Sequence, residues 1–188
     1  MADLISKDSW DIAWKGQFFV IEKHPTKGWE RAVRPPGVRL ILHDDTGRIL
    51  ITEEYRSSLG RKDFRLPGGK VFDELDPYLA VRSDASVLEA AVLAAARLEA
   101  KQETGVDHID DLRIFARSEA GASVEWDLWY LSGTIAARSE QELEADEAVH
   151  GIDVHFFAPD EVRQMLLDGR ISEDRTAAVL ARYLASRT

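Results

Sequence analysis

Two glutamates at helical spacing and a pair of glycines are the residues of this sequence best suited to chemistry. Glu99 and Glu103 are four positions apart, which puts both carboxylates on one helix face, within reach of a single divalent cation. Gly68 and Gly69 let a backbone turn approach that face closely. The pattern predicts a metal-assisted site for a phosphorylated substrate. Each half of it alone is also typical of something simpler, a solvated helix face or a plain turn.

A long helix must carry the two glutamates. Ser86 followed three residues later by Glu89 fits a capping box, the alanine-rich stretch after them has high helix propensity, and Gly105 is a natural stop. The polar segment 73–84 before this helix contains Pro77. We expect that segment to be a loop with at most a short irregular turn.

Apolar runs with strand character lie on both sides of this helix, and two helical segments close the chain. Asp44-Asp45-Thr46-Gly47 has the turn residues of a hairpin connection. This order predicts an α/β fold in the form of an α/β/α layered sandwich. The predicted strands are 17–23, 29–33, 38–42, 49–55, 112–117, 125–132 and 152–157, and the closing helices are 159–167 and 173–185.

Composition limits the function classes. The 188 residues include no cysteine, which excludes disulfides, thiolate metal sites and a cysteine nucleophile, and suits a reducing cytoplasm. A formal charge of -10 disfavours nucleic-acid binding, because a polyanion would be repelled. No apolar run reaches the roughly 20 residues that span a bilayer. Asp3 and Asp8 lie where a signal peptide would be basic and then apolar, so we expect a soluble, unprocessed protein.

The glycines and glutamates together resemble the signature of the Nudix hydrolases, G-x5-E-x7-R-E-U-x-E-E-x-G-U, in which U is aliphatic. Gly69 takes the first position, and Glu99, Glu103, Gly105 and Val106 match the second half. The sequence departs from the signature in three ways. Leu98 replaces the arginine, Gln102 replaces the first glutamate of the pair, and the interval between the two glycines is 15 residues longer.

Flanking motifs are similar to the ADP-ribose pyrophosphatase branch of that family. They are Glu54-Tyr55-Arg56 upstream of the glycine turn, and Asp168-Gly169-Arg170-Ile171 followed by Thr176. The resemblance implies a mixed β-sheet, an N-terminal β-rich extension over residues 1–37 and a hydrolase domain over residues 38–188. In that branch the extension helps to build a dimer, so a homodimer is expected.

The resemblance also implies roles for individual residues. Mg²⁺ or Mn²⁺ would be held by Glu99, Glu103 and Gln102, the last through its neutral carbonyl oxygen. Glu103 would be catalytic, with a general base from the acidic loop 140–147, where Glu144 and Glu147 are the candidates. A mobile, solvated loop is the simpler reading of those two glutamates.

Substrate contacts are expected at the glycine turn and from side chains near it. Gly68, Gly69, Arg56 and Arg65 would bind phosphate, and Trp29 would stack on an adenine. Surface salt bridges for the arginines, and a core or dimer-interface position for the tryptophan, are the alternatives.

The leading interpretation is a pyrophosphohydrolase that cleaves ADP-ribose or a related nucleoside diphosphate sugar to a nucleoside monophosphate and a sugar phosphate. Two alternatives stay open. A Nudix-fold nucleotide-binding or regulatory protein with impaired catalysis would explain Leu98 and Gln102. Hydrolysis of a different substrate would follow if the segment 73–84 reshapes the pocket. The expected partner is a small-molecule nucleotide, with no nucleic acid and no membrane.

Overall fold

The computed structural model describes residues 10–187, without the side chains of Asp146 and Glu147. The strands are β1 Asp11–Lys15, β2 Val20–Lys23, β3 Glu30–Val33, β4 Gly37–His43, β5 Ile49–Arg56, β6 Arg61–Arg65, β7 Val106–Ser118, β8 Val124–Glu125, β9 Leu128–Arg138 and β10 Ile152–Phe157. The helices are α1 Leu75–Val81, α2 Ala85–Thr104, α3 Ala145–Ala148, α4 Pro159–Leu167 and α5 Asp174–Ala185.

The strands form two mixed sheets. The central sheet has the order β10-β5-β4-β9-β7, with β6 paired to β5, and the N-terminal sheet has the order β1-β2-β3-β8. In the central sheet β4 runs parallel to β9 and antiparallel to β5. The N-terminal β-rich segment is therefore completed by β8, which follows β7 in the chain and runs parallel to β3.

Helices cover both faces of the central sheet. Leu40 and Leu42 of β4 belong to the core cluster that includes the buried residues of α2, whereas Ile41 between them belongs to the cluster with α4 and α5. Neighbouring strand residues point to opposite faces, so a strand buried on both sides reads as a continuous apolar run. The predicted α/β/α sandwich with a mixed sheet is confirmed. The boundary at residue 37 stays a prediction, and residues 1–9 of that extension lie outside the described part of the chain.

The long helix α2 begins differently from the predicted capping box. Asp84 is the N-cap, and its carboxylate accepts hydrogen bonds from the backbone N–H groups of Ser86 and Val87. The prediction that Ser86 is the N-cap was therefore wrong, because the aspartate two residues earlier satisfies the first N–H groups of the helix. The predicted end is confirmed, since Gly105 adopts the left-handed conformation with φ 70°.

The segment 73–84 is not a loop. It contains α1, with Leu75 and Tyr78 buried in the core. Pro77 is the third residue of this helix, where a backbone N–H has no partner inside the helix, so proline is tolerated there. The presence of proline was a poor guide to an irregular structure at this position.

Stability should depend on pH through His43, which is 5% exposed at the end of β4. Arg187 Nη1 donates to its Nδ1 over 2.8 Å. Burial, Arg187 and Arg113 lower the pKa of His43 to about 4. Between the ordinary value of about 6.5 and pH 4 the unfolded chain therefore binds a proton that the folded chain does not, and the free energy of unfolding falls as pH falls, by up to about 3 kcal/mol.

The check is urea unfolding between pH 7 and pH 4, with His43→Gln as the comparison. The variant should lose much of the decrease between pH 6.5 and pH 4, since its amide does not titrate. An unchanged slope would assign the pH dependence to other groups.

Within residues 10–187, no helix combines the length and the apolar character needed to cross a bilayer.

Candidate active site

The glycine turn and the C-terminal end of α2 meet at one place. Gly68 N donates to Glu103 Oε2 over 2.6 Å, and Glu103 is only 6% exposed. A Cβ atom built on Gly69 would lie 2.1 Å from Glu99 Oε1, far inside normal contact. Gly69 is therefore required by the position of the Glu99 carboxylate, and the structure brings together the four residues that the sequence singled out.

The turn is fixed against the start of β4. Val38 N donates to Gly69 O and Leu40 N to Pro67 O, both over 2.9 Å. Arg39 Nη1 donates to Gly68 O over 2.8 Å. These bonds hold the turn rigidly, so the Glu103 carboxylate has a backbone donor at a defined position.

A cavity of about 390 Å³ opens beside this turn. Five cationic and three acidic side chains line it, which gives it positive character in a chain whose formal charge is -10. Such a surplus attracts anions. The lining residues are Arg34, Pro36, Gly37, Arg39, Glu54, Tyr55, Arg56, Arg65, Gly68, Gly69, Lys70, Glu103, Trp126, Leu128, His150, Gly151, Ile152 and Glu173.

Three arginines of this cavity have a buried guanidinium Nε atom. The buried Nε atoms of Arg34, Arg39 and Arg65 have no hydrogen-bond partner within the described chain. Burial and the neighbouring Arg39 lower the pKa of the Arg34 guanidinium. Arg39 Nε lies 3.6 Å from Glu173 Oε2, and Arg65 Nε lies 3.8 Å from Glu54 Oε1, so both are ion-paired. The cationic lining of the cavity as a whole therefore indicates a place for an oxygen-rich anion.

Glu173 keeps two of these arginines in place. Its Oε2 lies 3.6 Å from Arg39 Nε and 3.5 Å from Arg65 Nη1, and Thr176 Oγ1 donates to it over 2.7 Å. Burial alone would raise the pKa of Glu173, but Arg39, Thr176 and Arg65 together hold it below its ordinary value. The carboxylate is therefore ionised and orients both guanidinium groups.

The predicted phosphate-binding arginines both line the cavity, but they differ in how they are held. Arg65 Nη2 lies 3.0 Å from the buried Asp63, and Arg56 Nη1 lies 3.3 Å from Glu54. All three guanidinium nitrogens of Arg65 lie within 3.8 Å of a carboxylate oxygen. Both arginines are therefore ion-paired, and their phosphate role stays a prediction.

The expected metal site is only partly preformed. No cluster of three or more His, Asp or Glu side chains suited to a metal occurs within residues 10–187, and Gln102 is partly buried but does not line the cavity. Glu99 and Glu103 nevertheless fit Mg²⁺, which is commonly held by one or two carboxylates together with substrate phosphates and water. The donor set fits a cation that arrives with an anionic substrate.

The acidic loop is attached to the same end of α2. Glu142 N donates to Gln102 O over 3.0 Å, and the Gln141 side chain donates to Ile152 O over 2.9 Å and to Glu103 O. Glu144 is exposed and does not line the cavity, and the side chain of Glu147 is outside the described part. From this region His150 lines the cavity instead, with its ring 4.7 Å from that of Tyr55.

The tryptophan that lines the cavity is not the predicted one. Trp29 is 52% exposed beside His24 and Lys27, and it does not line the cavity of its own chain. Trp126 does, and the Arg34 guanidinium lies 4.5 Å from its ring centroid. Trp126 directly follows β8, so only the pairing of β8 with β3 brings it to this wall.

Comparisons with known proteins agree with this fold. No curated protein matches the chain. Among solved structures, the chain is similar to one described as the crystal structure of an ADP compounds hydrolase, with 18% identity, a TM-score of 0.60, and coverage of 95% of this chain and 90% of the other. At this identity the likeness shows the fold. The family model of the NUDIX domain matches residues 33–179, and the chain therefore belongs to the Nudix family.

Proposed function

We propose that this protein is a metal-dependent pyrophosphohydrolase that cleaves ADP-ribose or a related nucleoside diphosphate sugar. The observation that carries the proposal is the set of five cationic side chains that line the same cavity as Glu103. A pyrophosphate offers oxygens to the arginines on one part of its surface and to a carboxylate-bound cation on another. The neighbour described as an ADP compounds hydrolase supports the same substrate class.

Different residues of the chain would bind the phosphates and the metal ion. Arg34, Arg39 and Arg65 bind and orient the phosphates, and Glu99 and Glu103 hold Mg²⁺ or Mn²⁺. When bound, that cation would neutralise the pyrophosphate and orient the attacking water. Water adds to one phosphorus, the bond to the bridging oxygen breaks, and a nucleoside monophosphate and a sugar phosphate leave.

The proton of the attacking water needs a carboxylate base. Glu144 and Glu147 remain our candidates, because Gln141 and Glu142 attach their loop to the helix end that carries Glu103. Within one chain, Trp126 lines the cavity and would offer a ring for stacking on an adenine. A stacking role for Trp29 requires a second copy of the chain.

The test is a panel of nucleoside diphosphate compounds led by ADP-ribose, incubated with Mg²⁺ and analysed for nucleoside monophosphate. Turnover of ADP-ribose or a nucleoside diphosphate sugar supports the proposal. Turnover confined to other substrates would favour a pocket reshaped by the segment 73–84.

A catalytically impaired nucleotide-binding or regulatory protein is the second candidate. Its specific support is that Leu98, in the arginine position of the signature, is 57% exposed. It predicts that ADP-ribose binds without turnover.

We also propose a cytoplasmic homodimer. The N-terminal sheet and its turns expose Ile12, Trp14, Phe18 and Trp29, each more than half exposed, and large exposed apolar residues in one part of the fold support an association surface there. Ile12→Glu should shift the protein from dimer to monomer in sedimentation velocity, because it buries a charge in the interface. A monomeric wild-type protein at micromolar concentration would contradict this.

A further inference from the structure

The 70–84 segment, which separates the glycine turn from α2, packs against the N-terminal sheet. Leu75 and Tyr78 of α1 are each 4% exposed, and they belong to the same core cluster as Val20 of β2 and Val33 of β3. The residues that lengthen the family signature therefore form a folded bridge between the two sheets.

Polar side chains continue this contact as a closed network. Tyr78 Oη donates to Glu125 Oε1 over 3.3 Å, and Arg82 Nη2 donates to Glu22 Oε1 over 2.7 Å. Arg31 joins the two carboxylates, with Nε 2.8 Å from Glu22 Oε2 and Nη1 3.2 Å from Glu125 Oε2. The Glu22 side chain is 1% exposed, and its ion pairs with both arginines offset the free-energy cost of burying it.

The Tyr78 hydroxyl is suited to a permanent donor role. Burial and the nearby Glu125 carboxylate raise the pKa of Tyr78 above its ordinary value. The phenol therefore keeps its proton over the whole physiological range and donates to Glu125 throughout.

The network ends at one wall of the cavity. Glu125 belongs to β8, its carbonyl oxygen accepts from Arg34 N over 3.0 Å, and Trp126 is the next residue. Arg34 and Trp126 both line the cavity and contact each other. By contrast, Glu103 accepts a hydrogen bond from Gly68 N, and Glu99 lies against Gly69.

We propose that Tyr78 and Arg82 are positioning residues, through which the 70–84 segment holds the Arg34–Trp126 wall in the geometry that binds substrate. The assignment to substrate binding rests on the proposed function. It predicts that the network determines the affinity for substrate, whereas the α2 carboxylates determine the rate of the chemical step.

The test compares Tyr78→Phe, which removes one hydroxyl, and Arg82→Ala with the wild-type enzyme. KM for the substrate found in the panel should rise about tenfold in each, while kcat changes less than about threefold, because binding and chemistry depend on different contacts. Arg82→Lys, which keeps the charge but loses the fork of the guanidinium, should give an intermediate KM. Asp76→Asn is the matched control on the same helix, since among the described residues Asp76 forms an exposed ion pair with Lys15, and it should leave KM unchanged.

Hydrogen exchange supplies a readout that does not need turnover. In Tyr78→Phe and Arg82→Ala the amides of Ala32 and Arg34, which bond to the β8 region, should exchange faster, while those of β4 and β5 keep their protection. If the protein shows this exchange pattern but no hydrolase activity, the proposed function is wrong and the positioning role of the two residues still holds. Unchanged exchange at Ala32 and Arg34, or a loss of kcat equal to the rise in KM, would overturn the inference.

Discussion

Glu103→Gln should abolish most of the turnover while leaving the fold intact. The glutamine carbonyl oxygen can still accept the hydrogen bond from Gly68 N that Glu103 Oε2 accepts over 2.6 Å. The substitution therefore removes the charge and little of the geometry. Loss of one of two carboxylates for the cation should lower kcat/KM by about 10²- to 10³-fold, measured as nucleoside monophosphate release at saturating Mg²⁺.

Glu89→Gln is the matched control for this variant. It makes the same chemical change on the same helix, at an exposed position 14 residues before Glu103, which is roughly 21 Å along the axis. Its activity should match the wild type. Wild-type turnover in Glu103→Gln would remove the carboxylate from the mechanism, and equal losses in both variants would point to a general effect of charge.

Gly69→Ala should inactivate the enzyme through a single methyl group. The new Cβ would lie 2.1 Å from Glu99 Oε1 and 2.5 Å from its Cδ, so the carboxylate must move by more than about 1 Å, and misplacement on that scale costs about 10²-fold in rate. The end of a flexible side chain can give way, so the melting temperature should stay within a few degrees of the wild type. The Mg²⁺ concentration for half-maximal rate should rise, because Glu99 no longer lies where the cation binds.

Gly68→Ala separates this effect from a damaged fold. Gly68 has φ 140°, and a Cβ there would lie 2.2 Å from the backbone oxygen of Val38, which cannot move aside cheaply. That variant should lose about 3 kcal/mol of stability in urea unfolding. Gly69→Ala with normal activity and normal Mg²⁺ dependence would show that the position of Glu99 is not required.

The sequence patterns that predicted structure well were those with one dominant physical cause. Ile152–Phe157 and Pro159–Leu167 were predicted to the residue as β10 and α4, because apolar patterning and a proline at the first helical position define them locally. The glutamate pair and the glycine turn were brought together as expected, since helical spacing and a stop at Gly105 fix which face of α2 meets the turn.

The features that were missed depend on pairing between strands. Strand β6, Arg61–Arg65, is mostly polar, and it forms because it pairs with the edge of β5. Arg34 and Trp126 meet only because β3 and β8, about 90 residues apart, run side by side. Local propensity carries no information about such pairings, so the arginine cavity could not be assembled from the sequence alone.

The longer interval between the two glycines illustrates the same limit. Its composition predicted a loop, whereas it folds as α1 because Leu75 and Tyr78 find a buried surface on the N-terminal sheet. The glutamates of α2 nevertheless reach Gly68 and Gly69. The insertion lengthens the path between the two halves of the signature and leaves their meeting point intact.

The most direct test of the central claim is ³¹P NMR of ADP-ribose incubated with the wild-type protein, with and without Mg²⁺. The proposed function predicts that the pyrophosphate signals disappear only when Mg²⁺ is present, and that two phosphomonoester signals, of AMP and a ribose phosphate, appear in equal amounts. Persistence of the pyrophosphate signals with Mg²⁺ and with Mn²⁺, while calorimetry shows that ADP-ribose binds, would contradict the account and establish a nucleotide-binding protein without hydrolase activity.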